Sequence, residues 1–280
     1  MRLVLLTERL TAAFADTHAW QIPYDTTPRH LAGPGDPRHV THGLAAAGWR
    51  TESDPLDAED VALRSPDYRY RLQYTPAAHS NSRWWYLQAD PTDIDFGWHA
   101  NLSGLVPAEV IASLTDTLVS PTIADPPGII STLKSAAWRV IDPAPATAVS
   151  ADGMCQVELR NQEFHDTPHW HVETREPRSG RYDGPRIWDA WFSDYMPERL
   201  VAAFVTALAD PAPLHRAMFD STVHYGAAST PSALTPDQVV AAHATRITSL
   251  HRAAHSARRQ QKIPAASPAN TGTARAAARR

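Results

Sequence analysis

The sequence predicts an α+β chain: two tandem copies of a small antiparallel-sheet unit, each closed by a C-terminal helix, then a basic C-terminal helix and a disordered tail. Three observations predict it. The segment from Trp98 to Pro121 aligns without gaps on Trp188 to Pro211. Upstream, Ser65, Asp67, Leu72 and Trp85 align in one register on Ser150, Asp152, Val157 and Trp170. Further back, Leu44 and Trp49 of GLAAAGWR correspond to Leu133 and Trp138 of STLKSAAWR. Three blocks in the same order, at nearly equal spacing, define an internal duplication.

The elements follow from each block in turn. An N-terminal extension, 1–36, leads into unit one at 37–121 and unit two at 122–211. Each unit starts with a short helix that runs into a strand at Trp49 or Trp138. SPDY and SADG then form turns in which an aspartate bonds the following backbone, ahead of YRYRLQY with RWWYLQA in unit one and MCQVEL with HWHVET in unit two. The last block begins as a strand with Trp98, Ala100 and Leu102 on one face, matched by Trp188, Ala190 and Phe192. It turns into a helix at Pro107 or Pro197, where the missing N–H costs nothing and Glu109 or Glu198 favours the positive helix start. Val110, Ile111, Leu114 and Leu118 form its core stripe, matched by Leu200, Val201, Phe204 and Leu208, and Pro121 or Pro211 ends it. Residues 212–234 read as an irregular linker. Thr235 caps a basic helix over 235–262, and 263–280 has a disordered composition.

Composition narrows the function classes. With 280 residues, 43% of them hydrophobic, the chain can build a core for each unit. Its one cysteine, Cys155, excludes an intramolecular disulfide and falls where a small buried hydrophobe is expected. Mean hydropathy is −0.37, and the apolar start at Leu3–Leu6 is broken by Glu8 and Arg9, so a cytoplasmic protein with no membrane partner is expected. Residues 235–280 carry eight basic side chains against one acid, Asp237, a net +7 that leaves −11 on residues 1–234. Nucleic-acid contact is therefore expected in the tail or in local patches.

PRHLAGPGDPRHVTHGL, the AGWR segment, SPDYRYRLQY, the central tryptophan and WHANLSGLVPAEV together resemble the actinobacterial family known as domain of unknown function 317. The resemblance covers about residues 28–211. It implies a tandem arrangement, a source among Streptomyces and relatives, and a setting near plasmid or integrative-element genes. It brings no activity and no catalytic residues. SADG and PER in unit two depart from the SPD and PAE of unit one.

The densest polar cluster is HDTPHWHVE, where His169, His171 and Glu173 share one strand face and His165 lies close by; imidazoles with a carboxylate are a donor set for zinc, iron or nickel. Unit one has Trp84, Tyr86 and Gln88 at the corresponding places, which favours a solvated strand face. His39 and His42 read as a surface pair. There is no GxSxG, no activated cysteine and no phosphate-cradling GxxxxGK, so the chain reads as a non-enzyme without a cofactor.

Trp85, Trp170, Trp98 and Trp188 recur between copies and are expected in the cores. Trp84 and Trp191 do not recur and are the better ligand-facing candidates, with Arg69, Arg71 and Arg83 as nearby charge. The terminal helix adds Arg246, Arg252, Arg258, Arg259 and Lys262, and its stripe of Val240, Ala244, Ile247, Leu250 and Ala254 suits docking on unit two or pairing with a second copy. The resulting expectation is a non-enzymatic protein that binds a macromolecule. DNA and a protein partner are both open, and a metal-dependent enzyme built on residues 165–173 is the lesser alternative.

Overall fold

A computed structural model describes residues 2–51, 60–76, 82–120, 127–141, 146–162, 165–177 and 182–261. Unit one comprises helix α2 (Arg38–Ala46), strands β2 (Arg50–Thr51), β3 (Val61–Arg64), β4 (Tyr70–Tyr74), β5 (Arg83–Ala89) and β6 (Trp98–Ser103), and helix α3 (Ala108–Val119). Unit two repeats this order with α4 (Ile129–Ser135), β7 (Arg139–Ile141), β8 (Thr147–Val149), β9 (Cys155–Gln162), β10 (His165–Arg175), β11 (Arg186–Phe192) and α5 (Glu198–Ala209). The units are joined edge to edge. Their last strands pair antiparallel, with Leu102 opposite Ala190, Asn101 opposite Trp191 and Ala100 opposite Phe192. One ten-stranded sheet results, in the order β2-β3-β4-β5-β6-β11-β10-β9-β8-β7, related by a pseudo-two-fold axis at the β6·β11 seam. Pairing these two edges removes from each unit the strand edge that would otherwise stay open to other chains.

Alternation decides which face is buried. Leu72, Leu87, Trp85, Trp98, Ala100 and Leu102 of unit one, and Val157, Val172, Trp188, Ala190 and Phe192 of unit two, form one core with the stripes of α3 and α5. Phe192 meets Phe204 edge to face at 5.1 Å. Of the four shared tryptophans, Trp85, Trp98 and Trp188 are buried and Trp170 is half-buried against the same core.

The SPDY turn explains a second signal shared by the two units. Ser65 Oγ donates to Asp67 Oδ1 and accepts the Tyr70 N–H at 2.8 Å, while Tyr68 takes a left-handed backbone conformation at φ 62°. In unit two, Ser150 and Asp152 make the same bonds, and Gly153 takes the left-handed position at φ 76°. The SADG sequence thus folds as the SPDY turn does, and glycine sits where the strain falls.

The chain ends depart most from the expectation. Residues 1–36 hold helix α1 (Arg2–His18), strand β1 (Pro23–Thr27) and a 3-10 turn (Arg29–Leu31). Residues 212–234 hold β12 (Leu214–Ala217) and β13 (Ala228–Pro231) where an irregular linker was expected, and these flank β1 in a three-stranded antiparallel sheet. Such short strands carry little periodicity, and their partner lies almost a full chain length away. Helix α6 (Pro236–Gln261) starts with a reciprocal cap, Gln238 N–H to Thr235 Oγ1 and Thr235 N–H to Gln238 Oε1. It packs on α1 and on α2 and α3 of unit one, rather than on unit two, and buries Ile247, Leu250 and Ala254. His42 is no surface residue. It is fully buried, and its Nδ1 lies 3.2 Å from Nε2 of His243 on α6. Cys155 is buried as expected, and burial pushes its thiol pKa up to about 12. Lys262 and 263–280 lie outside the described residues.

Candidate macromolecule-binding face

Strand pairing places side chains from distant sequence positions in rows across the sheet face opposite the helices. One row runs Arg50, Arg64, Arg71, Gln88 and His99, each directly opposite the next. A second runs Gln73, Tyr86, Asn101, Trp191, His171 and Glu158 across the seam. A third brings Arg83 opposite Ser103, whose hydroxyl meets Asp189 across the seam, with Glu173 opposite Asp189.

The first row is basic along its unit-one length. Arg50 donates to the Tyr68 hydroxyl and lies 5.5 Å over its ring, so the SPDY tyrosine holds this arginine on the face. Neither Arg64 nor Arg71 has an acidic partner among the described residues. Three like charges in direct opposition work against strand pairing. Unit two does not repeat them fully: Val149 and Gln156 take the places of Arg64 and Arg71.

At the seam Trp191 is the central ring. His171 lies 4.3 Å from it, His169 stacks on it at 4.9 Å, and Arg160 covers it at 5.7 Å. Its Nε1 donates to Asp189 Oδ2 at 2.9 Å. Burial of Asp189 works to raise its pKa, but the His171 ring at 3.8 Å, hydrogen bonds from Ser103 and Trp191 and the charge of Arg186 outweigh it, holding the carboxyl well below the usual range. His169 is shifted down, first by burial and then by His171 and Arg160. Both of its ring nitrogens lack a hydrogen-bond partner among the described residues.

The expected metal residues are only partly assembled. His169 and His171 share this face, but Glu173 is ion-paired with Arg175 at 2.7 Å, and the side chain of His165 lies outside the described residues. Among the described residues no group of three His, Cys, Asp or Glu is placed to hold a metal ion.

The expected nucleic-acid residues are divided. Arg71, Arg83 and Trp191 lie on the face. Trp84 sits at an irregularity of the β5·β6 register and folds against Gly104, where a side chain would collide with its ring. Arg69 is bound to Asp95 at 2.8 Å. On α6, Arg246 grips Asp116 with two bonds and the His39 carbonyl with a third, and Arg258 donates to the Ala47 carbonyl. Arg252 and Arg259 are exposed. Sequence reasoning missed Arg50, Arg64 and His99. The two-residue alternation Val61-Ala62-Leu63-Arg64 turns Arg64 to this face, whereas Arg50 is placed by register alone.

Comparison with known proteins adds one similarity. A family model described as SPDY, a domain of unknown function (DUF317), matches residues 64–124 and again 149–214. No curated protein matches the chain, and no solved structure does.

Proposed function

The chain is a tandem member of the SPDY family, domain of unknown function 317, and on that premise we propose that it binds DNA through the open face of its fused sheet. The observation that carries this reading is the arginine row Arg50, Arg64 and Arg71 on one strand face, with no acidic partner for Arg64 or Arg71 among the described residues. Neighbouring strands lie ~4.8 Å apart, so the row offers a line of closely spaced cations to phosphates. Gln73, Gln88 and Asn101 alongside it are donors and acceptors suited to base edges. The basic row also accounts for DNA contact by a body that is acidic on average, because the positive charge is local. This reading takes the protein to act in the cytoplasm, and a place among mobile-element genes suits it.

The test is DNA binding measured over a salt series with single- and double-stranded probes. Replacing Arg50, Arg64 and Arg71 together by alanine is expected to lower the salt slope by about 2 to 3, near 0.9 for each phosphate contact on a duplex. An unchanged slope overturns the reading. A protein partner is the second reading, favoured by exposed Phe96 packed at 4.5 Å on exposed Tyr195, with Ile94 exposed nearby.

A further inference from the structure

A second site lies away from the sheet face, where the chain ends close over unit one. Between α1, β12, α3 and α6 is a cavity of about 350 Å³, within the range of small-molecule sites.

The charged groups around it are already neutralised. Arg216 meets both oxygens of Glu109 and spends its other donors on the carbonyls of Ala32, Gly33 and His215. Arg246 is paired with Asp116 and Arg29 with Asp210. His39 and His243 are both shifted down by burial, which keeps them neutral.

Two polar atoms of the wall remain open among the described residues. His243 lines the cavity and is 3% exposed; its Nε2 is engaged with His42, while its Nδ1 has no partner among the described residues. Phe14 stacks flat on the same ring at 3.8 Å, and His18 stacks on the far side of Phe14 at 4.1 Å. Gln21 Oε1, also on the wall, is likewise buried without a partner among the described residues. Buried polar atoms are nearly always hydrogen-bonded, so two open ones in a single cavity point to something that satisfies them there.

We propose that this cavity is a binding site for a small uncharged, mainly apolar molecule, aromatic in part, whose one polar atom hydrogen-bonds His243 Nδ1. The paired charges leave a bound ion no free counter-charge, and the stacked rings supply a flat wall. The site belongs to unit one alone. Arg199 stands in α5 where α3 has Glu109, and Gly128 stands where α2 has His39.

The probe is N-phenyl-1-naphthylamine, an uncharged aromatic amine whose fluorescence rises in apolar surroundings, titrated into the full chain. Saturable binding at one site is expected. Val239→Trp, which fills the cavity from its half-exposed wall, is expected to abolish it. His243→Phe keeps the ring but removes the hydrogen bond, and is expected to weaken it about threefold to tenfold. The sulfonated analogue 1-anilinonaphthalene-8-sulfonate is expected to bind more weakly by a similar factor or more. Absence of saturable binding, or binding unaffected by Val239→Trp in a variant with unchanged circular dichroism, overturns the site. Equal or tighter binding of the sulfonate overturns its assignment to uncharged ligands.

Discussion

Ser103 and Asp189 hold the two halves of the sheet together at its centre. The Ser103 hydroxyl donates to the buried Asp189 carboxylate and accepts the Asp189 N–H at 3.1 Å, so side chain and main chain of unit two both close on one residue of unit one. Arg186 and Trp191 add two further bonds to the same carboxylate. Asp189→Ala strands these donors. It is expected to destabilise the chain by about 2 to 4 kcal/mol in chemical denaturation, and Ser103→Ala by about 1 to 2 kcal/mol. A loss under 0.5 kcal/mol for Asp189→Ala means the seam is held by its ladder and apolar packing alone.

Stability is expected to fall as the solution is acidified from pH 7 to 5. Burial lowers the His42 pKa to about 4 and the His243 pKa to about 2, against an ordinary value of 6.5. The groups facing this pair are Asp36 and Arg38 before and at the start of α2, His39 on α2 and Arg246 on α6. Below pH 6.5 the unfolded chain takes up protons that the folded pair refuses, so unfolding gains, by about 2 kcal/mol for each histidine at pH 5. The depressed carboxyls of Asp36, Asp152 and Asp189 add losses in the same direction below about pH 4. Urea denaturation at pH 8, 6.5 and 5 checks this, and replacing both histidines by asparagine is expected to flatten the profile above pH 5.

Arg64→Ala and Arg71→Ala are expected to separate stability from binding. Each removes one of three directly opposed like charges, so the folded state is expected to hold or gain a few tenths of a kcal/mol while DNA affinity drops. Thermal unfolding beside a binding titration reads both. A substantial loss of stability in either variant assigns these arginines to the fold.

The unit-two turn offers a backbone test. Gly153 has open space around it, so Gly153→Ala adds no collision and only the cost of a left-handed conformation, about 1 kcal/mol. Tyr68→Gly removes that strain from unit one, and it also frees Arg50 from its ring. It is expected to keep the fold and reduce binding.

The repeat was legible because packing repeats. Trp85 and Trp170, Trp98 and Trp188, and the α3 and α5 stripes meet equivalent surroundings in both units, and equivalent surroundings preserve residue type. The open face was not legible in that way. Arg50, Arg64 and Arg71 come from three strands and become neighbours only through register, which alternation within one strand does not specify. Trp191, singled out by its absence from unit one, lies on this face, whereas Trp84, chosen by the same logic, is turned aside by the irregular register beside Arg83. The histidines of α2 and α6 were hidden for another reason. Nothing local marks His42 and His243 as partners, because they meet only through the packing of α6 on unit one.

The three-stranded sheet also orders events during synthesis. Strand β1 leaves the ribosome before either repeat, yet both its neighbours, β12 and β13, lie beyond unit two, and Thr26 meets Ser229 only after both repeats have been made. Chains fold from the N-terminus as they emerge. The ten-stranded sheet can therefore assemble while β1 still waits with two open edges, and the cavity wall formed by β12 and α6 closes last. A chain released early keeps its repeats but lacks that wall, so an intact cavity reports that translation has run through α6.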